Sequence, residues 1–388
     1  MTQDTKKNLL KIPSLKVYFP PEDIKEILSK IEECLSTGML AQGKNVQEFE
    51  KQFASYLGTQ NAICVSSGGS AIEVVMRALN VKEKEVLVPA NTFLATASSV
   101  VLAGGNSRLV DISPKTLSPT LESLKKSITK NTTGVIIVHI GGIISEEIEE
   151  IRNWCNEKGL WLFEDCAHAH GSMFHKKMAG TFGLGSAYSF FATKVITCGE
   201  GGIVVTSDNE LAKKVRILRD YGKTEPWVSY HVELGANWRM SDITAVIGLA
   251  QLKRLNEFIN FREKIASLYT KFLETIPEVN PILSKDRCSW YKYIILLPNN
   301  KDREKLRIKM KENGVSLSGG VYDVPLHKQP VFKSFENEPL HNAEDFCRRH
   351  ICLPIYYGMK NEEVEYVVET LKNCLKTIEG VIKNEEAK

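Results

Sequence analysis

The sequence predicts an α/β protein: a large, mixed but mostly parallel sheet covered by helices on both faces, followed by a smaller α+β unit. Three observations carry that expectation. Short apolar runs alternate with segments of helical period through the first two thirds of the chain, which is the β-α-β rhythm of a parallel sheet. After about residue 185 the rhythm changes, and a second unit begins near residue 260. A length of 388 residues suits two domains. The expected division is a tail over 1–16, a large unit over 17–260 and a small unit over 261–388.

Each element has a local cause. Phe49, Phe53, Tyr56 and Leu57 recur at i, i+4, i+7 and i+8 and predict an amphipathic helix over 45–57. NAICV at 61–65 reads as a strand that runs into SSGGS at 66–70. Ile72, Val75, Met76 and Leu79 then take up helical spacing at once. Residues 85–89 and 108–111 are the next strands, and 133–138 and 160–163 are buried-type runs with a charged helical stretch over 145–158 between them. Residues 187–191 and 202–206 are strands joined by a Gly-rich connection. Ile243, Val246, Ile247 and Ala250 start a long helix with Ser241 as its N-cap. The second unit holds a strand over 290–297, a charged helix over 301–313 and a terminal helix carrying Val364, Val367, Val368 and Leu371.

Composition excludes several classes. Apolar residues are 43% and charged residues 25%, an ordinary globular balance that leaves no room for long disorder. Lys+Arg number 50 against 47 Asp+Glu, so the net +3 makes no case for a nucleic-acid or anionic-membrane partner. Nine cysteines with no C-x-x-C spacing suit free thiols in a reducing compartment rather than a disulfide scaffold. No apolar stretch has membrane-span length, and the first residues lack the apolar core of a signal peptide, so a cytoplasmic protein is expected and the Asn131 sequon is expected to be silent.

Three pieces can carry chemistry. LWLFED at 160–165 is an apolar strand ending in two acids, where open α/β sheets bind ligands, although an Asp there can also be a plain helix cap. Cys166, His168 and His170 follow, but their spacing is not that of a zinc site and no fourth ligand is in view, so no metal is expected. Lys194 sits at the end of an apolar strand and enters a Gly-rich turn. Desolvation there lowers an ammonium's pKa and favours Schiff-base chemistry. Ser66-Ser67-Gly68-Gly69-Ser70 lies between a strand and a helix, where free N–H groups can hold a phosphate, though it matches neither a Walker loop nor a dinucleotide fingerprint. A phosphate cradle, a strand-end carboxylate and a strand-end lysine, in that order, are what pyridoxal 5'-phosphate (PLP) needs.

The chain resembles the DegT/DnrJ/StrS-type sugar aminotransferases nearly end to end. The resemblance rests on PANTF at 89–93, VH at 138–139 with Gly142, EDCAHAHG at 164–171, SFFATKVITCGEGG at 189–202, GANWRMSD at 235–242, Tyr322 with Pro325-Leu326-His327, and Leu353-Pro354. It implies the aspartate-aminotransferase-like fold, fold type I of the PLP enzymes, and a homodimer with shared active sites. By the same resemblance Lys194 is the catalytic lysine and proton shuttle, and Asp165 pairs with the pyridinium nitrogen. His168 lies beside the cofactor's phenolic oxygen and Phe93 stacks on its ring. Ser189 and the backbone of Gly68, Gly69 and Ser70 hold its phosphate, and Asn237, with Arg239, reaches the neighbouring subunit's cofactor. The implied substrates are a keto-sugar, nucleotide-linked, and glutamate or glutamine as amino donor.

Other readings are weighed against this one. Related sugar dehydratases carry histidine in place of the lysine, so Lys194 argues against that form, and the cysteines lack iron–sulfur spacing. A non-catalytic regulator need not keep Asp165, Ser189 and Lys194 together. A keto-cyclitol remains an alternative substrate. His139, His170, Trp290 and Tyr291 are read as core residues, the histidines hydrogen-bonded. The phosphate loop departs from the family's S-G-T-x-A, because Gly69 removes a hydroxyl donor.

Overall fold

The computed structural model describes residues 10–225, 227–317, 320–332 and 339–378. In chain order the elements run α1 (Pro21–Thr37), α2 (Lys44–Leu57), β1 (Asn61–Val65), α3 (Gly68–Ala78), β2 (Glu85–Pro89), α4 (Leu94–Leu102), β3 (Asn106–Val110), α5 (Leu121–Ser127), β4 (Thr132–Val138), α6 (Ile148–Glu157) and β5 (Trp161–Asp165). A small hairpin, β6 (Met173–Phe174) and β7 (Lys177–Met178), precedes β8 (Gly185–Ser189), β9 (Gly202–Thr206), α7 (Asn209–Arg219) and the long α8 (Asp242–Leu273). The remainder is β10 (Asn280–Pro281), β11 (Tyr293–Leu296), α9 (Arg303–Glu312), α10 (His341–Arg349), β12 (His350–Leu353) and α11 (Asn361–Thr377).

The seven-stranded sheet has the order β1-β9-β8-β5-β4-β2-β3. Only β9 runs against its neighbours; it pairs antiparallel with both β1 and β8, and every other contact is parallel. Six strands therefore end at one edge, which is where an open α/β sheet gathers its functional groups. Successive strand residues point to opposite faces. In β4, Ile136 and Val138 enter one apolar core, and Val135 and Ile137 enter the other. Both faces are thus covered, as the continuous apolar runs foretold.

The first core extends into the three-stranded sheet β10-β11-β12 and onto α11. The helix α8 joins the two cores. Its Leu255, Phe258 and Ile259 pack in one, and its Ile265, Ala266 and Tyr269 in the other. It runs unbroken through residue 260, with Ser241 as its N-cap accepting the Thr244 N–H. Elements the sequence reading did not assign include α1, α4 and α10. In α4 the sequence LATASSVVL mixes small hydroxyl residues with apolar ones and has no charged face, so no amphipathic stripe marks it.

One buried cluster sets the end of β1. Glu50 on α2 accepts the Cys64 N–H (2.9 Å) and pairs with Arg219 (2.7 Å) and Arg216 (2.9 Å) of α7. Arg219 also donates to the Cys64 carbonyl. The carboxylate is thereby satisfied as well as buried, and the turn that follows β1 starts from a fixed point.

Candidate active site

The ends of β1, β2, β5 and β8 deliver their side chains to one cavity of about 700 Å³. Gly68, Gly69, Phe93, Asp165, His168, Ser189 and Lys194 all line it. Residues widely separated in the chain meet there because parallel strands place all their exits on one edge.

The phosphate-type cradle comes from the start of α3. Ser67 is the N-cap: its Oγ accepts the Ser70 N–H (3.0 Å), and the Ser70 Oγ accepts the Ser67 N–H (2.8 Å). An α-helix leaves its first N–H groups without intrahelical partners. The one on Ser70 is taken by the cap, so Gly68 and Gly69 are left to present theirs to the cavity. A Cβ at Gly68 would lie 2.7 Å from the Ser189 Cβ, so glycine is what lets the helix end close on β8. At Gly69 the nearest atom to such a Cβ is Ala95 Cβ at 3.4 Å, and a side chain would fit. Gly68, Gly69 and Ser189 thus line a nook whose free N–H groups suit an anion, while the side chain of Ser70 serves the cap.

Asp165 ends β5 and is buried. Its Oδ2 accepts the Thr96 hydroxyl (2.8 Å) and its Oδ1 accepts the Ala167 N–H (3.1 Å). Since Thr96 gives its proton to the carboxylate, it accepts one from Thr92 (2.8 Å). Burial raises the carboxyl pKa; the two hydrogen bonds and the charge of Lys194 pull the other way. Thr92 and Thr96 were not foreseen as a relay. Their i, i+4 spacing at the start of α4 was the available signal.

Lys194 lies in the turn after β8, which is closed by the Cys198 N–H to the Phe190 carbonyl and the Phe190 N–H to the Gly201 carbonyl. Its Nζ stands 4.7 Å from the centre of the Tyr291 ring. Burial lowers the ammonium pKa to about 8, with Lys292 adding to the effect and Asp165 opposing it. An amine in that range is in part neutral at neutral pH, as a nucleophilic lysine must be.

His168 stacks on Tyr291 (4.3 Å) and lies near-parallel to Tyr322 (6.1 Å, 12°). Its Nδ1 accepts the Gly141 N–H, so the proton sits on Nε2, 3.5 Å from the Tyr322 hydroxyl. Burial, then the charges of Lys194 and Lys292, hold the ring neutral. Gly142, with φ +100°, makes this possible: a Cβ there would fall 2.1 Å from Ser289 Oγ, which bonds the His168 carbonyl. Phe93, 61% exposed, stands at the cavity mouth with its ring 6.3 Å from Tyr322.

Some residues differ from expectation. Tyr291 is buried, yet it walls the cavity between His168 and Lys194 and bonds Thr193 through its hydroxyl. Trp290 does pack in the core, stacked on Tyr293. His139 is structural, pairing with Glu164 at 2.9 Å. His170 is buried against Tyr188 and Phe190, beside the Ser189 backbone. Burial, with the Lys194 charge, drops its pKa to about 3 against the pull of the Ser189 backbone and keeps the ring uncharged. Asn237 is exposed and does not line the cavity of its own chain.

A metal reading fares poorly on the donor set. Among the described residues the atoms that converge belong to His139, Glu164 and Cys166, not to Cys166, His168 and His170. Glu164 already accepts from the N–H groups of Gly180, Phe182 and Gly183. Those bonds hold residues 180–183 and leave the carboxylate no open position.

The profile of the DegT/DnrJ/EryC1/StrS aminotransferases matches residues 21–372. The chain belongs to this family. The aminotransferase is 33% identical over 345 residues to the GDP-perosamine synthase of Escherichia coli O157:H7, covering 88% of this chain and 93% of that protein. It is 32% identical to the UDP-4-amino-4,6-dideoxy-N-acetyl-beta-L-altrosamine transaminase of Campylobacter jejuni, covering 90% and 95%. Among solved structures, the aminotransferase superposes on NtdA from Bacillus subtilis with bound pyridoxamine phosphate (TM-score 0.88, 27% identity, 96% of this chain and 86% of that one). It is a PLP-dependent transaminase of fold type I. The cradle that a Cβ at Gly68 would fill, the buried strand-end carboxylate and the desolvated lysine fit that cofactor.

Proposed function

We propose that this aminotransferase moves an amino group from glutamate or glutamine to the keto carbon of a nucleotide-linked sugar. The observation that carries the reading is the meeting of the Lys194 amine and the Asp165 carboxylate in one cavity roomy enough for a sugar. When bound, PLP supplies a carbonyl carbon that takes up the amino group and a ring that accepts electrons. Gly68, Gly69 and Ser189 would hold its phosphate, Asp165 would keep its ring nitrogen protonated, and Phe93 would pack against the ring. His168, neutral, gives its Nε2 proton to hydrogen bonding and orients the site. Lys194, in part neutral, would take the donor's α-proton and return it to the cofactor side. The donor leaves as a keto acid, and in the second half-reaction the sugar C=O becomes CH–NH₂.

The working unit in this reading is a homodimer in which Asn237 and Arg239 reach the partner's site. Asn237 is exposed beside a segment whose Trp227 and Leu234 are 90% and 92% exposed, an apolar surface that a second copy would cover. The described cysteines, all nine of them buried and unpaired, suit a cytoplasmic setting. Among the described residues no helix is long and apolar enough to cross a membrane.

The test is a screen of keto-sugar nucleotides and keto-cyclitols with glutamate and glutamine, read by mass spectrometry. Amination of a nucleotide-linked sugar supports the reading; amination of cyclitols alone, or a protein that takes up no PLP, overturns it. Sedimentation of the holoenzyme as a monomer would refute the shared site.

A further inference from the structure

The outer wall of the cavity is formed by residues 320–322, in which Tyr322 lies parallel to the His168 ring and faces Phe93. A wall made of loop needs an anchor, and this one is held from the core side. His350, the first residue of β12, is fully buried. Its Nδ1–H donates to the Phe346 carbonyl one turn earlier (2.8 Å), which leaves Nε2 with a lone pair. That lone pair accepts the Val321 N–H at 2.7 Å. The imidazole also lies flat on the Phe346 ring (4.2 Å, 8°), so its orientation is fixed. A Cβ at Gly320 would come within 2.3 Å of both His350 Nε2 and Asp323 Oδ1, so the loop seats directly on the ring.

A second pin lies beside the first. Asp323 accepts the Gly320 N–H (3.1 Å) and pairs with Arg307 (3.0 Å) and Arg303 (3.2 Å) of α9. These two guanidinium groups and the Asp323 carboxylate are the charged groups that bear on His350. Burial, then the two nearby guanidinium groups, keep the ring neutral, and only a neutral ring in this tautomer can donate to Phe346 and accept from Val321 together.

We infer that His350 is a positioning residue that sets the height of Val321 and Tyr322 over the cavity, and so the wall a nucleotide-linked sugar must pass. It touches neither cofactor nor substrate. The kinetic part of this inference rests on the proposed sugar reaction; the anchoring part does not. A sugar carrying a nucleotide extends from Lys194 beyond the wall, whereas an amino-acid donor is small enough to stay inside it. Loosening the wall therefore acts on the sugar more than on the donor.

The experiment compares the holoenzyme with His350→Leu, which removes the acceptor, and His350→Gln, whose Oε1 can replace it. Amide exchange of the peptide spanning 320–326 is followed by mass spectrometry without substrate. Exchange in His350→Leu is expected to quicken roughly tenfold or more, the worth of one buried hydrogen bond, and to slow again in His350→Gln. KM for the keto-sugar should rise about tenfold in His350→Leu with kcat within about twofold, while the donor half-reaction with glutamate alone stays within about twofold. Unchanged exchange in His350→Leu overturns the anchoring. Quickened exchange with sugar and donor steps failing equally, and no rescue by Gln, overturns the positioning role. If the wild type aminates no keto-sugar, the proposed reaction fails, and the exchange data still decide the anchor.

Discussion

Thr96→Val is the most direct probe of the site's electrostatics. It is close to isosteric and removes one hydroxyl, the group that donates to Asp165 Oδ2 at 2.8 Å in a fully buried position. A hydrogen bond to a charged group is worth about 1.5–3 kcal/mol. Losing it leaves the carboxylate with the Ala167 N–H alone, against the burial that already raises its pKa. The Asp165 pKa should therefore rise further. The ionised form is the one that pairs with a protonated ring nitrogen. PLP affinity should therefore fall by roughly tenfold, up to about a hundredfold, and the loss should be larger at the lower of two pH values, because a raised carboxyl pKa leaves more Asp165 neutral at a given pH. Thr96→Ser keeps the hydroxyl and should bind near the wild-type level. The assay is a titration of apoprotein with PLP, read by absorbance and tryptophan quenching. Equal affinity for the Val and wild-type proteins at both pH values would refute the reasoning.

Further outcomes are expected. Lys194→Ala should lower turnover by at least about 10²–10⁴-fold while PLP still binds; borohydride should fix cofactor mass to the wild type and not to the variant. The rate of PLP uptake by the apoprotein should rise with pH through about 8 and then level, since the amine is nucleophilic only when neutral. Lys292→Met should move that midpoint up and Asp165→Asn should move it down; a midpoint that ignores both would show that neither charge tunes the lysine. Gly142→Ala forces a Cβ to 2.1 Å from Ser289 Oγ at φ +100°, a strain of about 1–3 kcal/mol that should lower the melting temperature by several degrees.

Much of the fold was legible because its signals are local. The alternation of apolar runs and helical stripes marks β1, β2, β4 and β9 within a residue, and β5 within two. The elements that escaped lack such a signal: α4 has no charged face to set off an apolar stripe, and β12 is four residues long. Within the site, Asp165 and Lys194 announced themselves by standing at the ends of apolar strands, while Ser189 was marked only by the family resemblance. Tyr291 did not, because a tyrosine beside Trp290 in an apolar strand looks the same whether it packs in a core or walls a cavity. Ser70 looked like a phosphate ligand, and its place as the partner of an N-cap depends on where α3 begins.

The sequence by itself determined the strand exits, the cofactor chemistry and the order of its parts, since these follow from residue type and from periods of two and 3.6 residues. Tertiary structure alone decided which side chains meet: Thr96 with Asp165, Tyr291 with Lys194, His350 with Val321. Those contacts join segments far apart in the chain, and they exist because sheet and helices close-pack in one arrangement. The same closure sets the charge states, for Lys194 and His168 titrate as they do only once the packed chain has removed water from around them.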